Sequence, residues 1–473
     1  MSDRDEIVEN AKYLRQVRPI DPEEIADYVS SQPHPAVVKQ TLRDEALSLG
    51  LVERHDGTFV PVGEDPVTNT VEQVEALPDV YGTELEGLLT DRYGYAWFEG
   101  ESGDTLRTAI RRLKDDYYRR RNVEYDEVAS LGYALYHLPD FYAAMQYVLN
   151  DLVSKRLLPR KLRVLDVGAG VGGPALGLHD FLPDDVLVDY HAVEPSSATT
   201  VLERLLACTA PSFHTEITES TAEAFEPRGP YDLVLFGNVL NELDDPEAVL
   251  RKYLDAVADD GSLVALAPAD KNTSTGLREV ERAVTDTATV YSPTVRLWPG
   301  HEPSDRGWSF DVRPDLAVPD FQRRLDEATP EDDEDHAPGE FVNVDVQFSY
   351  TILRHDDERI LDVTPNVNTY AKMAASEDHI SGRIDLLAVK LSQNLADSKS
   401  GANPLFKISD GSESTDHYAV CVKETSLNRG LNDAEYGDLL AFESVLALWN
   451  DDEASYNLVV DEETVIDRIP KPV

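Results

Sequence analysis

The residues best placed to do chemistry lie in one turn, Leu162-Arg-Val-Leu-Asp166-Val-Gly168-Ala169-Gly170-Val-Gly172-Gly-Pro174. An apolar run of strand type feeds a glycine-rich stretch that opens a helix. Glycine lets a backbone pass close to a ligand, and a helix start leaves amide N–H groups without partners. A Gly-x-Gly turn alone also fits a nicotinamide-dinucleotide site. Three further features narrow the chemistry. Asp166 stands two positions before Gly168. A second apolar run, 186–193, ends in Glu194, where a carboxylate is placed to accept both hydroxyls of a ribose. A later run, 231–236, leads into Gly237-Asn238-Val-Leu-Asn241-Glu242-Leu243, then a helix and Gly261-Ser-Leu-Val-Ala-Leu266.

These residues need a scaffold of alternating strands and helices, and 161–310 reads as one, a mostly parallel α/β sheet. Before it, 1–65 reads as a small winged helix. Asp21-Pro-Glu-Glu starts one short helix, Pro35 starts a second with Val38, Leu42, Ala46 and Leu49 on one face, and a hairpin turns at Asp56-Gly57. Asp44 and Glu45 on its would-be recognition helix leave nucleic-acid and protein contact equally open. The region 66–160 reads as helical. After the sheet, the acidic stretch 326–340 reads as an exposed loop, and a strand re-enters at 344–353. The last hundred residues read as five strands (383–391, 404–410, 417–423, 438–448 and 457–469) with a short helix at 432–436, an OB-like β-barrel. Phe406, Tyr418 and Trp449 are candidates there for stacking on bases, or core residues.

The charge frames the choice of partner. Among 473 residues, 43 are basic and 90 acidic, giving a net charge of −47, and Arg outnumbers Lys 30 to 13. Acid excess with scarce Lys points to a halophilic cytosol, where carboxylates keep the surface hydrated; an acidic nucleic-acid mimic is the competing explanation. Two cysteines, Cys208 and Cys421, exclude a disulfide scaffold or a site of three or four thiolates, and no apolar run is long enough for a membrane helix. A soluble, cytoplasmic protein is expected. Positive charge is concentrated in two windows. One holds Arg107, Arg111, Arg112, Lys114, Arg119, Arg120 and Arg121; the other holds Lys155, Arg156, Arg160, Lys161 and Arg163. Either they pair with local acids or they meet a polyanion, and their rarity in this chain favours RNA.

The turn, Glu194 and the strand ending at Gly237-Asn238 together resemble the class I S-adenosylmethionine-dependent methyltransferases. The resemblance implies S-adenosyl-L-methionine as cofactor. Asp166, Gly168, Ala169, Gly170 and Gly172 would face its methionine part, Glu194 its ribose, Thr221 its adenine, and Asn238 would line the pocket. Further segments are Leu131-Gly-Tyr-Ala-Leu-Tyr-His-Leu-Pro139-Asp-Phe-Tyr142, Val193-Glu-Pro195-Ser, Val239-Leu-Asn241-Glu242-Leu243 and Val346-Gln-Phe348-Ser349-Tyr350-Thr-Ile-Leu-Arg354. In their order they are similar to the ribosomal small-subunit methyltransferase-like family, known in archaea, bacteria and mitochondria, over about half the chain. That resemblance implies the small ribosomal subunit or its rRNA as partner, and with the composition it suggests a halophilic archaeal source.

Two departures stand against the family pattern. Relatives carry a four-cysteine iron–sulfur site, but 291–310 contains no cysteine, so no cluster and no metal are expected; His301 with nearby acids is a weak substitute. The strand ending Leu266-Ala267-Pro268 lacks the acid that relatives often place before the proline. No acceptor-specific motif is present, and Cys208 reads as a packed residue, so the catalytic residues are left unassigned. The fold class expected is α/β, a Rossmann-like class I methyltransferase core (161–355). An N-terminal winged helix (1–65), a helical region with basic clusters (66–160) and a C-terminal OB-like barrel (375–473) flank it. An active rRNA methyltransferase, a cofactor-binding assembly factor and a small-molecule methyltransferase all remain open.

Overall fold

In the computed structural model, residues 2–119, 125–301, 306–334, 336–396 and 401–470 are described. The chain opens with α1 (Asp3–Leu14), which the sequence reading does not include. Its start is a capping box, in which Ser2 and Asp5 satisfy each other's amide N–H groups. Next come α2 (Pro22–Tyr28), α3 (Pro35–Asp44), α4 (Ala46–Leu49), β1 (Leu51–Glu53) and β2 (Phe59–Pro61). The helix expected from Pro35 to Leu49 breaks at Glu45, and Gly50 closes α4 in a left-handed conformation. Ile7, Ala11 and Leu14 of α1 complete the core that Ile25, Val38, Leu42 and Phe59 begin.

Three helices follow, α5 (Asp79–Tyr93), α6 (Gly100–Tyr118) and α7 (Glu127–Ser154). The alternating region then runs β3 (Lys161–Val167), α8 (Gly173–Phe181), β4 (Leu187–Val193), α9 (Thr199–Leu206), β5 (Phe213–Thr218) and β6 (Tyr231–Gly237). It continues with α10 (Pro246–Leu254), β7 (Val257–Pro268), α11 (Lys271–Ala283), β8 (Thr289–Ser292), β9 (Asp311–Arg313), α12 (Asp320–Glu327) and β10 (Val346–Arg354). Two compact units result: 1–237 with 315–344, and 238–314 with 345–473.

In the first unit β5, β4, β3 and β6 pair in that order, all parallel. The central strands β3 and β6 are buried almost continuously, as a sheet covered by helices on its faces demands, while the edge strand β5 is largely open. The chain moves outward from β3 to β4 to β5, then returns to the other side of β3 as β6. That reversal is a topological switch point, and ligands of open α/β sheets bind beyond the strand carboxyl ends there. Here those ends are Val167 and Gly237.

In the second unit β10 pairs antiparallel with β7, β8 and β9. Beyond it lie β11 (Arg383–Lys390), β12 (Leu405–Ser409), β13 (His417–Cys421), α13 (Gly430–Asp433), β14 (Leu439–Asn450), β15 (Ser455–Val460) and β16 (Val465–Ile469). Strands β11 to β15 close a five-stranded barrel: β11 pairs with β12 and β14, β12 with β13, β14 with β15, and β13 runs parallel to β15. The last strand expected from sequence is two, because the chain turns at 461–464 and β16 adds to β14. Phe406 is core, Tyr418 is half-buried, and Trp449 is exposed.

Within the first unit, the 28-residue α7 carries Pro139 in its interior. Proline has no N–H for the carbonyl four residues earlier, and its ring crowds that carbonyl. Here the carbonyl belongs to Leu135, and the buried Gln322 of α12 supplies the missing donor, Nε2 to O at 2.8 Å. Asn343 Nδ2 bonds the next carbonyl, Tyr136 O, at 3.1 Å, while Asn343 N donates to Gln322 Oε1. A residue from 187 positions away thus completes the helix. Gln322→Leu leaves a buried carbonyl unsatisfied and should lower the unfolding free energy by about 1–3 kcal/mol, read as a lower urea midpoint at unchanged m-value. An unchanged midpoint would mean that Gln322 does not serve the kink.

Candidate functional site

The turn after β3 is built as its residue types require. Gly168, Gly170 and Gly172 have φ of +69°, +55° and +93°. At Gly170 a Cβ would find nothing closer than 4.0 Å, so this side of the turn faces open space. The amides of Gly168 and Ala169 donate to Val193 O, which ties the turn to the end of β4. Glu194 completes the tie, since Oε2 accepts from Gly170 N at 2.8 Å and Oε1 from Ser196 N at 2.9 Å. Each oxygen keeps one lone pair, so the carboxylate can still receive a ligand hydroxyl.

Asp166 is fully buried, and only one of its oxygens is bonded. Tyr190 donates to Oδ2 at 2.7 Å, while Oδ1 has no hydrogen-bond partner among the described residues. Burial pushes this carboxyl up to about 7, the tyrosine bond opposes that, and Glu194 adds to it. Thr221 is exposed beyond β5, and its hydroxyl accepts from Ala224 N. Asn238 opens the second unit with φ +63°, its amide donating to Leu266 O and its Nδ2 buried without a partner among the described residues. Asn241 and Glu242 lie exposed in a short 3-10 turn. Cys208 follows α9 and is half-buried, as a packing residue would be.

Three family models match the sequence. Residues 4–55 and 374–469 match the N-terminal and C-terminal domains of a domain family of unknown function, DUF8157. Residues 128–310 match a methyltransferase domain. S-adenosylmethionine is the cofactor such a domain implies. Solved structures with some likeness include the plantazolicin methyltransferase BpumL in complex with a monoazolic desmethylPZN analogue and SAH. It shares 14 % identity over 44 % of this chain and 64 % of that one, with a TM-score of 0.25. The mitomycin 7-O-methyltransferase MmcR shares 18 % identity (56 % and 77 % covered, TM-score 0.25). A putative methyltransferase from Thermoplasma acidophilum shares 11 % (42 % and 70 % covered, TM-score 0.28). TM-scores this low carry no argument, and the chain spans less than two thirds of the first of these structures. No curated protein matches the sequence.

The helix preceding the methyltransferase strand β3 brings together side chains that sequence reasoning missed. His137 Nδ1 lies 3.3 Å from Asp140 Oδ2, and Asn343 Nδ2 donates to the same oxygen at 3.0 Å. The His137 ring stacks on Phe141 (5.0 Å, 3°) and meets Tyr133 at 5.0 Å. The available signal was a proline inside a helical pattern with aromatic rings at 133, 137 and 141, each one helical turn apart.

Part of the basic windows has partners inside the protein. Arg107 is buried, donating to the carbonyls of Phe98 and Leu325 and to Asp104. Arg111 holds Glu340 through two bonds of 2.6 Å and Asp333 at 2.9 Å, and Lys114 donates to Glu340 O. The acidic stretch expected to be an exposed loop is therefore docked, and Asp326 accepts from the amides of Gly339 and Phe341. Arg160 pairs with Asp185, Arg163 lies over the Tyr231 ring, and Arg119 pairs with Asp115. Arg112, 3.5 Å from Asp126, is exposed, as are Arg119, Arg156 and Lys161, with Lys155 half-buried. Arg120 and Arg121 lie outside the described residues. Among the described residues no group of His, Cys, Asp and Glu is arranged to hold a metal, and no helix is long and apolar enough to cross a membrane.

The Asp166 carboxyl gives the methyltransferase domain a testable pH dependence. The folded chain keeps a proton there that the unfolded chain releases between 3.8 and about 7, so this group's contribution to stability falls as pH rises through that window. Asp166→Asn removes the titration. Urea midpoints measured from pH 4 to 8 should show wild type losing stability relative to the variant as pH rises, and parallel profiles would contradict the buried, protonated state.

Proposed function

We propose that the chain is an S-adenosylmethionine-dependent methyltransferase whose acceptor is RNA of the small ribosomal subunit. The observation that carries the cofactor part is the glycine turn at the switch point, tied by Glu194 to the end of β4. The residues fit the group. Gly170 leaves open space beside the turn, Glu194 retains acceptor capacity for hydroxyls, and Asp166 offers a buried oxygen lacking a donor. Asp166, Gly168, Ala169, Gly170, Gly172 and Glu194 would hold the methionine and ribose parts, and Thr221 would flank the adenine. When bound, the cofactor supplies an electrophilic methyl group, and the chain's task is to align a nucleophile with it.

The RNA part rests on the order of the family segments and on the flanking modules. We read the amino-terminal region, α1 to α4 with the β1–β2 hairpin, as a winged helix. The five-stranded barrel, with one parallel pair between its third and fifth strands, we read as OB-like, a module that commonly grips single strands. Arg112, Arg119, Lys155, Arg156 and Lys161 are the cations left to meet phosphate. A second reading, a small-molecule acceptor, is favoured by the internal pairing of Arg107, Arg111 and Lys114.

Gly170→Val places a β-branched residue at φ +55° and fills the open side of the turn. Calorimetry should show at least tenfold weaker S-adenosylmethionine binding with an unchanged circular dichroism spectrum; undiminished affinity would overturn the cofactor site. At high salt, labelled methyl groups should pass to small-subunit RNA. Intact cofactor binding without transfer would instead mark an assembly factor, and transfer to free small aromatics alone the second reading.

A further inference from the structure

We infer that the kinked stretch of α7 around His137 is the binding site for a planar aromatic acceptor carrying a ring N–H or an O–H, a nucleobase by class. Its ring lies against Tyr133 and His137, which Phe141 backs, and its hydrogen is bonded to His137 Nε2. The inference rests on the methyltransferase reading for the place where an acceptor must come.

Placement is the first ground. A Cβ at Gly173, in the first turn of α8, would lie 3.0 Å from Phe141 Cβ and 3.3 Å from Leu138 O. One turn on, a Cβ at Gly177 would meet Tyr142 O at 2.4 Å and Met145 Cβ at 3.1 Å. The two helices therefore advance in the same sense along their contact. Residues of α7 before Leu138 extend past the start of α8, over the carboxyl ends of the strands, where the glycine turn sits. Gly237, the end of β6, reaches the same place, since its Cβ would lie 2.8 Å from Pro174 Cγ.

Preparation is the second. His137 is held by the Asp140 carboxylate, which also accepts from Asn343 Nδ2 and from Phe141 N at 3.0 Å each. Asn343 Nδ2 also lies 3.3 Å from His137 Nδ1, but its hydrogens are directed at Tyr136 O and Asp140 Oδ2 at shorter range. We therefore assign the ring hydrogen to Nδ1, facing Asp140, which leaves the Nε2 lone pair outward as an acceptor. Nε2 has no partner among the described residues, and the side chain keeps 30 % of its surface exposed. Phe141 is buried and backs the His137 imidazole, stacked on it at 5.0 Å, while the half-buried Tyr133 borders that imidazole and offers an apolar edge to a flat ring. The Gln322 and Asn343 bonds to Leu135 O and Tyr136 O fix the backbone under His137.

The test uses the full chain, labelled with 15N-histidine and saturated with S-adenosylhomocysteine, titrated with uridine, with phenol and with a single-stranded RNA nonamer containing uridine. The His137 Nε2 resonance should move with at least one probe. His137→Ala should weaken that probe at least fivefold while S-adenosylhomocysteine affinity and circular dichroism stay unchanged, and Asn343→Ala should broaden or shift the free His137 signal. Movement with the nonamer alone places the ring in a polynucleotide; movement with uridine or phenol shows that a free ring suffices. If no probe moves His137 while S-adenosylhomocysteine binds, the acceptor site is wrong and the methyltransferase reading stands. If wild type fails to bind S-adenosylhomocysteine, the methyltransferase reading fails and takes the acceptor site with it.

Discussion

Helix α8 can lie against α7 only because positions 173 and 177 carry no side chains. A Cβ at Gly177 would sit 2.4 Å from a backbone oxygen, a distance that no rotamer change relieves. This contact fixes where the first turn of α8 points, and so where the glycine-rich turn presents its backbone. It also sets how far α7 projects beyond the strand ends. The proposed cofactor and acceptor sites would both be referred to this single helix crossing.

Polar groups then lock what that crossing positions. Glu194 joins the turn to the end of β4 through two amide bonds, while Gln322 and Asn343 complete the helix that Pro139 interrupts. Each of these groups is buried or nearly so, and a buried amide or carbonyl left alone is costly. The segment 315–344 thus behaves as part of the first unit despite its distance in sequence. Arg111 and Lys114 fasten its acidic stretch, which gives the positive charge of α6 an internal use.

The turn, Glu194 and the parallel strands were legible because strand periodicity and glycine placement are local signals. The barrel was legible except for its last strand, where the turn at 461–464 divides one apolar stretch into two strands. The first helix escaped notice, for only Ile7, Ala11 and Leu14 are buried among its many charges. The internal partners of the basic windows were not legible for a different reason. A window count registers charge but not a partner 229 positions away, which is the separation of Arg111 from Glu340. His137 was hidden in the same way, because Asn343, which orients it through Asp140, lies 203 positions from that carboxylate. Net charge describes the general surface, while Arg107, Arg111 and Lys114, which depart from it, fasten the fold.

The most direct measurement is a crystal structure of the full chain with S-adenosylhomocysteine. The expected result is ligand at the carboxyl ends of β3 and β6, its ribose hydroxyls on Glu194, its amino acid part along Gly168–Gly172, and a ring-sized opening bordered by His137. Ligand bound elsewhere, or Glu194 turned away from it, would contradict the cofactor site on which the functional reading depends.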